Sequence, residues 1–250
     1  MSKTTFPQLK KPPITEAIFE VLFTLEDDFN VEDFAKFCEK FSSQFTRKDE
    51  ITVLEGKIDA KNLAENSLKS SKIGYILLNE DKSKAIQIRN NGFTYSLSNS
   101  SYKNWDSFKS DAYSFFHVAI ELYNIKKVLR TSLRYINSIN LPVTLTDIKE
   151  YILIAPEVPK NLSLGLSKMF TQITMPNEII GGVGIVTQSF DAAYMSGDSF
   201  SFILDIDVQI MCDCGSNDGI IESNFEKLHD FKNQIFFNSV TNKTIENFQK

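Results

Sequence analysis

The chain has 250 residues, of which 42% are hydrophobic and 24% are charged, a composition typical of a soluble globular protein with one large domain or two small ones. The counts of 10 Gly and 7 Pro exclude a collagen-like or low-complexity chain, and the formal net charge of −5 disfavours binding through nucleic-acid phosphates. Phenylalanine is in excess, with 21 Phe against a single Trp, which predicts a core built mainly from phenyl rings.

The first predicted elements are a strand and a helix that follow the Pro12-Pro13 break. From Ile14 to Leu25 apolar residues recur with a period of two, which indicates a half-buried strand. Asn30 can cap the helix that comes next. Its apolar residues recur at three- and four-residue spacing and form one stripe, made of Phe34, Phe37, Cys38, Phe41 and Phe45.

A meander of short strands and a long helix complete the first half. Runs of β-forming residues separated by polar turns predict strands at residues 51–58, 73–78, 85–88 and 93–97. The last two flank Asn90-Asn91-Gly92, which predicts a hairpin because Asn-Gly readily adopts the positive φ that tight turns need. A wide apolar face then predicts a helix from about Trp105 to Tyr123.

The second half has a similar order of elements. A long strand is predicted from Lys127 to Leu141, and Thr146 can cap a short helix around residues 147–154. Further β-rich runs lie at residues 169–176, 182–190 and 199–211. The Gly-rich stretch 181–184 lacks the Lys-Ser/Thr of a P-loop and predicts a hairpin or bulge. A helix from about Ile221 to Phe237 and a shorter one end the chain.

The order of elements predicts an α+β fold with an antiparallel sheet, or sheets, and helices packed on one side. Each half contains a strand, a helix, several antiparallel strands and a long helix. We therefore expect residues 1–250 to form a single unit, and we hypothesise that it is a duplicated strand-helix-meander-helix unit with pseudo-repeat halves at residues 14–124 and 125–250.

Cysteine and histidine give no support to the common metal or catalytic sites. Cys38, Cys212 and Cys214 lack C-x-x-C spacing and are interpreted as reduced thiols, with Cys38 buried in a helix. His117 lies in an apolar helical segment and is interpreted as a packed residue. His229 is interpreted as a surface or helix-packing residue, with Lys232 exposed nearby. Catalysis by a histidine base is therefore disfavoured.

Membrane and secretory signals are absent from the sequence. No segment approaches about 18 consecutive apolar residues, and the N-terminal residues contain no apolar run of signal-peptide length. The expected location is the cytoplasm, with no membrane partner.

Asp205 and Asp207 form the most suggestive pair for chemistry. They lie two residues apart in a predicted strand, so both carboxylates project from one face, where oxygen ligands could share a Mg²⁺ or Mn²⁺ ion. Glu16 and Glu20 have a similar relation on the first strand and would extend this acidic surface if the two strands were neighbours. The alternatives are a polar face that contacts a partner and a face that is only solvated.

Arginines form the second candidate set. Arg130 and Arg134 lie on one face of the long strand and Arg89 ends another, so their guanidinium groups could bind phosphate or carboxylate in a bidentate fork. We favour the alternative in which they pair with the two aspartates across the sheet. The candidate polar sheet face comprises Glu16, Glu20, Arg89, Arg130, Arg134, Asn137, Asp205 and Asp207.

Several stretches along the chain carry a family resemblance. They are PPITEAIFE at 12–20, IRNNGFTYS at 88–96, LRYIN at 133–137, LDID at 204–207 and HDFKN at 229–233. With these, the chain resembles an uncharacterised, sporadically distributed bacterial protein family of about this length. The resemblance implies a single full-length unit and an accessory distribution on mobile elements, and so suggests a role in phage defence or a toxin–antitoxin pair. It implies no catalytic residue.

These observations predict a cytoplasmic binding or regulatory protein, without its own reaction or cofactor, that holds a protein partner or a small ligand on the polar sheet face. One alternative is a metal-dependent phosphoester-processing enzyme that uses Asp205 and Asp207 with Mg²⁺ or Mn²⁺, and Arg134 on the phosphate. The other is a nucleic-acid-binding module that uses the Arg-bearing sheet face, where Lys126, Lys127, Arg130 and Arg134 form a local basic run. An exposed Phe-rich edge or helix face could form a homodimer.

Overall fold

The computed structural model describes residues 6–26, 29–57, 67–98, 100–144, 147–155, 167–193, 195–215 and 218–249. These residues form an α+β fold, an antiparallel sheet with four α-helices, as the sequence predicts. The chain divides into two compact units. Unit 1 comprises Met1–Ala17, Ser132–Met211 and Glu222–Lys250, and unit 2 comprises Ile18–Thr131 and Cys212–Ile221.

Ten strands and four α-helices make up the described fold. The strands are β1 (Ile14–Leu25), β2 (Arg47–Lys57), β3 (Ser67–Leu78), β4 (Lys84–Arg89), β5 (Gly92–Ser98), β6 (Ile125–Pro142), β7 (Lys168–Asn177), β8 (Gly182–Asp191), β9 (Met195–Ser196) and β10 (Ser199–Cys214). The helices are α1 (Ala35–Lys40), α2 (Trp105–Leu122), α3 (Asp218–Ser239) and α4 (Asn242–Asn247). The strand order is β2-β3-β4-β5-β1-β6-β10-β8-β7, and β9 pairs with β10. No helix in these ranges is long and apolar enough to cross a membrane.

Unit 2 packs its helices on one face of its strands through aromatic rings. Phe116 of α2 lies 6.5 Å from Phe19 of β1 and 5.4 Å from Phe93 of β5, measured between ring centroids. Edge-on and tilted contacts of this kind add to the roughly 2 kcal/mol that burial of a phenyl ring contributes. The predicted stripe is buried throughout, at Phe34, Phe37, Cys38, Phe41 and Phe45. The α-helix itself is shorter than the stripe, because Phe41 is already the C-cap of α1.

Unit 1 packs α3 on its strands, and its packed layer contains polar side chains. A Cβ on Gly184 of β8 would lie 2.8 Å from Ile235 Cδ1, so the glycine allows α3 to approach the sheet closely. The buried polar side chains of this unit include Asn137, Gln188, Asn224 and Lys232. The excess of Phe therefore describes the core of unit 2 better than that of unit 1.

Two predicted hairpins are confirmed, although one uses different turn chemistry. Arg89 pairs with Gly92 across the β4–β5 turn, but the turn residues Asn90 and Asn91 have negative φ. The expected positive φ was therefore wrong. A Cβ on Gly92 would lie 2.8 Å from Leu22 Cδ2, so this glycine serves close approach. In the β7–β8 hairpin, Gly181 has φ +66°, as the hairpin interpretation of the Gly-rich stretch requires.

The short helix predicted around residues 147–154 is only one 3-10 turn, Ile148–Glu150. Its N-cap is Asp147, whose side chain accepts a hydrogen bond from the backbone N–H of Lys149, because a short carboxylate suits the first turn. The proposed cap Thr146 lies outside the described residues. The single unit of residues 1–250 and its pseudo-repeat halves 14–124 and 125–250 stay predictions.

Candidate functional site

The candidate residues lie mostly on the strand faces that point away from the helices of their own unit, which we call the open face. On β1 the buried and half-buried residues alternate, and Glu16 and Glu20 are half-buried. Asn137 is the exception. It is only 2% exposed, and its side chain donates hydrogen bonds to the carbonyl oxygens of Tyr135 and Leu204 at 3.3 and 2.9 Å. Its assignment to the polar face was therefore wrong, because the odd-numbered residues of this part of β6 are buried.

In unit 2, two arginines share the carboxylate of Glu20. Arg89 Nη2 donates to Glu20 Oε2 at 3.0 Å, and Arg130 Nη2 donates to Glu20 Oε1 at 2.5 Å. Arg89 also donates to Thr94 Oγ1 at 3.1 Å and to Gln87 Oε1 at 3.1 Å. The side chains of Glu20, Arg89 and Arg130 are 20, 18 and 26% exposed, so solvent screens them only in part. We call Glu20, Arg89 and Arg130 the shared-carboxylate cluster.

The two arginines of the shared-carboxylate cluster keep Glu20 ionised. Burial raises the pKa of the Glu20 carboxyl, but the hydrogen bonds and charges of Arg130 and Arg89 outweigh it and hold the pKa below its ordinary value. Glu20 is therefore ionised at neutral pH and binds both guanidinium groups. Arg89 Nε is buried and has no hydrogen-bond partner among the described residues. Such a donor costs about 1–3 kcal/mol when it stays unsatisfied.

Two glycines position Arg89. It pairs with Gly74 of β3 on one side and with Gly92 of β5 on the other. A Cβ on Gly74 would lie 2.0 Å from the carbonyl oxygen of Ile88, a backbone atom that cannot move aside alone. The close β3–β4 approach that carries Arg89 into the sheet therefore requires glycine at position 74.

An open cavity of about 500 Å³ adjoins the shared-carboxylate cluster within unit 2. Its apolar wall is formed by Leu22, Phe23, Leu25, Phe29, Val31 and Leu129. Its polar residues are Thr24, Glu26, Asn90 and Asn91. Glu20, Arg89 and Arg130 do not line the cavity themselves, but a Cβ on Gly92 would lie 2.8 Å from Leu22 Cδ2 and 3.4 Å from Arg89 Nη2, so the Leu22 wall lies close to Arg89. This volume lies in the usual range of ligand pockets, about 300–1,000 Å³.

In unit 1, the two aspartates are bound by other side chains. Arg134 Nε and Nη2 donate to the two oxygens of Asp205 at 2.9 and 2.6 Å, the bidentate pairing favoured from the sequence. Ser132 Oγ and Gln209 Nε2 each donate to Asp207 at 2.7 Å. The hydrogen bonds that Arg134 donates to Asp205 raise the pKa of the Arg134 guanidinium above its ordinary value, and the charges of Asp207 and Glu16 act in the same direction. We call these residues the aspartate cluster.

The aspartate cluster is poorly arranged for a divalent cation. Both oxygens of Asp205 are engaged by one guanidinium group, and both oxygens of Asp207 accept hydrogen bonds. Over the residues that the structure covers, no three His, Cys, Asp or Glu side chains form a group that could hold a metal. A Mg²⁺ or Mn²⁺ ion at Asp205 would have to displace Arg134. Arg130 binds Glu20.

Sequence reasoning missed a buried lysine in unit 1. Lys232 is only 8% exposed, although it was expected to be exposed, and its Nζ lies 4.0 Å from the ring centroid of Tyr135. Burial lowers the pKa of this amine to about 7. A signal was present, because residues 225, 228, 232, 235 and 239 of α3 recur at helical spacing and all are buried.

The remaining predicted residues are not part of either cluster. His117 is exposed, so its interpretation as a packed residue was wrong. His229 is half-buried on α3, with its Nε2 3.4 Å from Asn233 Nδ2. The three cysteines are free thiols, and burial in α1 raises the pKa of Cys38.

Comparison of the sequence with known proteins adds nothing to this geometry. No family model matches the chain, and no curated protein matches it. The site must therefore be interpreted from its own residues.

Proposed function

We propose that the protein is a binding protein that holds a small ligand on the open face of unit 2. The observation that carries this proposal is the cavity of about 500 Å³ beside the shared-carboxylate cluster. A concave surface that combines apolar side chains with polar groups is the usual form of a small-molecule site. Of the two kinds of partner predicted from the sequence, the cavity favours a small ligand over a protein.

The two other function classes have less support. The phosphoester-processing alternative needs Asp205 free to bind a metal, and its two oxygens accept hydrogen bonds from Arg134. The nucleic-acid alternative needs a basic surface. In the basic run, Lys126 and Lys127 pair with Glu26 and Asp213, and the two arginines pair with Glu20 and Asp205. Each of these four cations therefore already has a carboxylate partner.

The proposal also covers cellular context. We place this binding protein in the cytoplasm, where it would serve as an accessory component of a defence or toxin–antitoxin module, as the family resemblance suggests. A homodimer would use an exposed aromatic edge, and the described residue that fits is Phe170, 69% exposed on the edge strand β7.

The test is to fill the cavity and measure what the protein retains. Leu129 lines the cavity and is 36% exposed, so Leu129→Trp adds bulk there without opening the core. Protein purified from cells grown in rich medium would be denatured, and the released small molecules measured by mass spectrometry. We expect at least one compound at near-stoichiometric amount with the wild type and about tenfold less with Leu129→Trp.

The matched control is Leu54→Trp, at a position 68% exposed on β2 of the same unit. It introduces the same side chain away from the cavity and should retain the compound at the wild-type level. Equal retention by Leu129→Trp and Leu54→Trp, or no enriched compound with the wild type, would contradict the proposal.

A further inference from the structure

We infer that Cys212 and Cys214 of β10 form a binding site for one soft monovalent metal ion of the Cu(I) class, held between two thiolates. The site lies within unit 2, at the end of β10. It involves neither the cavity nor the shared-carboxylate cluster, so this inference goes beyond the function proposed above and does not depend on it.

The strand places the two thiols side by side. Cys212 and Cys214 are two residues apart at the end of β10, so their side chains project from one face. The thiol of Cys214 lies within hydrogen-bonding reach of Cys212. Cys212 Sγ also lies 4.0 Å from the hydroxyl oxygen of Thr131 on β6. Two sulfur ligands are therefore close together before any metal binds, and both are free of disulfides.

The cysteine pair is partly open to solvent. Both cysteines are half-buried, and Asp213 between them is exposed. Among the described residues β10 pairs with β8 from Ile203 to Ile210, so the cysteines lie past the end of this pairing. Lys127 of β6 binds Asp213 at 2.7 Å and holds the end of the strand in place. A metal ion can thus approach the pair from solvent while the strand keeps its position.

The number and type of ligands favour a soft ion that accepts two ligands. In the described part of the chain, no three His, Cys, Asp or Glu side chains form a group that could hold a metal. Zn²⁺ takes four ligands in structural sites, and Mg²⁺ requires oxygen ligands. Thiolates select soft ions such as Cu(I), which is stable between two opposed sulfur atoms. The pair therefore favours Cu(I) over divalent cations.

The extended backbone favours a bridging ion over a disulfide. Residues two apart on a strand have Cα atoms about 6.4–6.8 Å apart. This separation is at the upper end of the usual disulfide range, whose preferred value is about 5.5–6 Å. With metal–sulfur bonds of about 2.3 Å, as in zinc sites, an ion holds the sulfur atoms about 4.6 Å apart, whereas a disulfide requires about 2 Å. Binding releases the two S–H protons to solvent and leaves the oxidation state of copper unchanged, so it needs no oxidant or reductant.

The experiment measures the transfer of Cu(I) to the reduced protein from its coloured bicinchoninate complex, without oxygen or added thiol. We expect the wild type to bind one Cu(I) per chain. Cys212→Ala and Cys214→Ala should each bind Cu(I) at least about a hundredfold more weakly, since even a residue behind a metal ligand contributes about 10- to 100-fold to affinity. Cys38→Ala is the matched control and should bind as the wild type does, because Cys38 is a buried cysteine of α1 in the same unit.

Alkylation of the wild type gives a second measurement that does not depend on the folding of a variant. Cu(I) should protect Cys212 and Cys214 from iodoacetamide, as measured by peptide mass spectrometry, and leave the labelling of Cys38 unchanged. Unchanged Cu(I) affinity in either Cys212→Ala or Cys214→Ala, or equal labelling of the pair with and without Cu(I), would overturn the site. Displacement of Cu(I) by equimolar Zn²⁺ would overturn the preference for a soft monovalent ion.

Discussion

Units 1 and 2 both have arginines and carboxylates on their open faces, but they arrange these charges in opposite ways. In the shared-carboxylate cluster of unit 2, two arginines face one glutamate. In the aspartate cluster of unit 1, Arg134 faces two aspartates, with Glu16 close enough to influence it. In the first, two cations share one carboxylate, and in the second, one cation lies among several carboxylates. Charged residues alternating along a strand therefore do not define a site until their partners are known.

The packed faces of the two units differ as well. The layer between helices and strands in unit 2 is aromatic, with Phe19, Phe93 and Phe116 in mutual contact. In unit 1 it contains buried polar groups such as Lys232 and Gln188. Burial of polar groups costs free energy unless they are hydrogen-bonded. The aromatic layer of unit 2 carries less of this cost than the layer of unit 1. Substitutions in each unit can test the difference between the two layers.

Gly74→Ala is expected to have the largest effect. Its Cβ would lie 2.0 Å from a backbone oxygen of β4, so β3 and β4 must separate, and we expect a loss of about 4 kcal/mol in the free energy of unfolding. Urea denaturation would measure it. Because Gly74 pairs with Arg89, ligand binding in unit 2 should weaken in parallel.

The comparison in unit 1 is Gly184→Ala. There the nearest atom would be the end of the Ile235 side chain at 2.8 Å, which can rotate away, so we expect a loss of about 1 kcal/mol. Equal losses for the two alanine variants would show that the close backbone approach in unit 2 is not as rigid as the geometry indicates.

Glu20→Gln is expected to have the second largest effect. It removes the negative charge that the two largely buried guanidinium groups share, and breaking a buried pair in this way costs about 3 kcal/mol. Asp205→Asn in unit 1 should cost about 1 kcal/mol, because Arg134 is 43% exposed and water can solvate it. Urea denaturation at pH 7 would measure both losses. A larger loss for Asp205→Asn than for Glu20→Gln would contradict the expectation that the ion pairs of Glu20 contribute more to stability.

The binding of Glu20 to two arginines also predicts that the stability of the protein depends on pH. The pKa of this carboxyl is lower in the folded protein than in the unfolded chain, so the unfolded state binds more protons as the pH falls. The stability that Glu20 contributes is present above its ordinary pKa and is lost as the pH falls through the lowered folded value. Wild type and Glu20→Gln should therefore converge in stability at acidic pH, and parallel curves would contradict this origin.

Most of the fold could be predicted from the sequence, because it depends on local periodicity. The period of two over Ile14–Leu25 and the stripe of Phe residues each fix which face is buried. The site could be predicted only in part. Glu20 binds arginines 69 and 110 residues away, and the cavity joins Leu22, Asn91 and Leu129. Such contacts depend on strand order, which no local pattern specifies.

Lys232→Met is expected to stabilise the protein. The pKa of Lys232 is about 7 in the folded state and about 10.4 in the unfolded chain, so between these values the unfolded state binds more protons. Wild-type stability should thus rise from pH 7 to pH 10 relative to Lys232→Met. At pH 7 we expect the free energy of unfolding of the variant to exceed that of the wild type by about 2 kcal/mol. This net gain already includes the loss of the cation–π contact with Tyr135. Lys227→Met, at an exposed position of α3, is the control.

The smallest expected effect is that of divalent metal, and it bears on the aspartate cluster alone. A ligand that binds the folded state at 100 times its Kd stabilises by about 2.7 kcal/mol, so a true Mg²⁺ or Mn²⁺ site would raise the Tm measurably. The guanidinium of Arg134 already neutralises Asp205, and the hydrogen bonds of Ser132 and Gln209 occupy Asp207. We therefore expect no metal-dependent change in Tm at millimolar concentration.

Arg134→Gln removes the competing cation, so a Mn²⁺-dependent rise in Tm that appears only in this variant would show that the arginine is what excludes metal. A rise in the wild type that Asp205→Asn abolishes would restore the phosphoester-processing alternative.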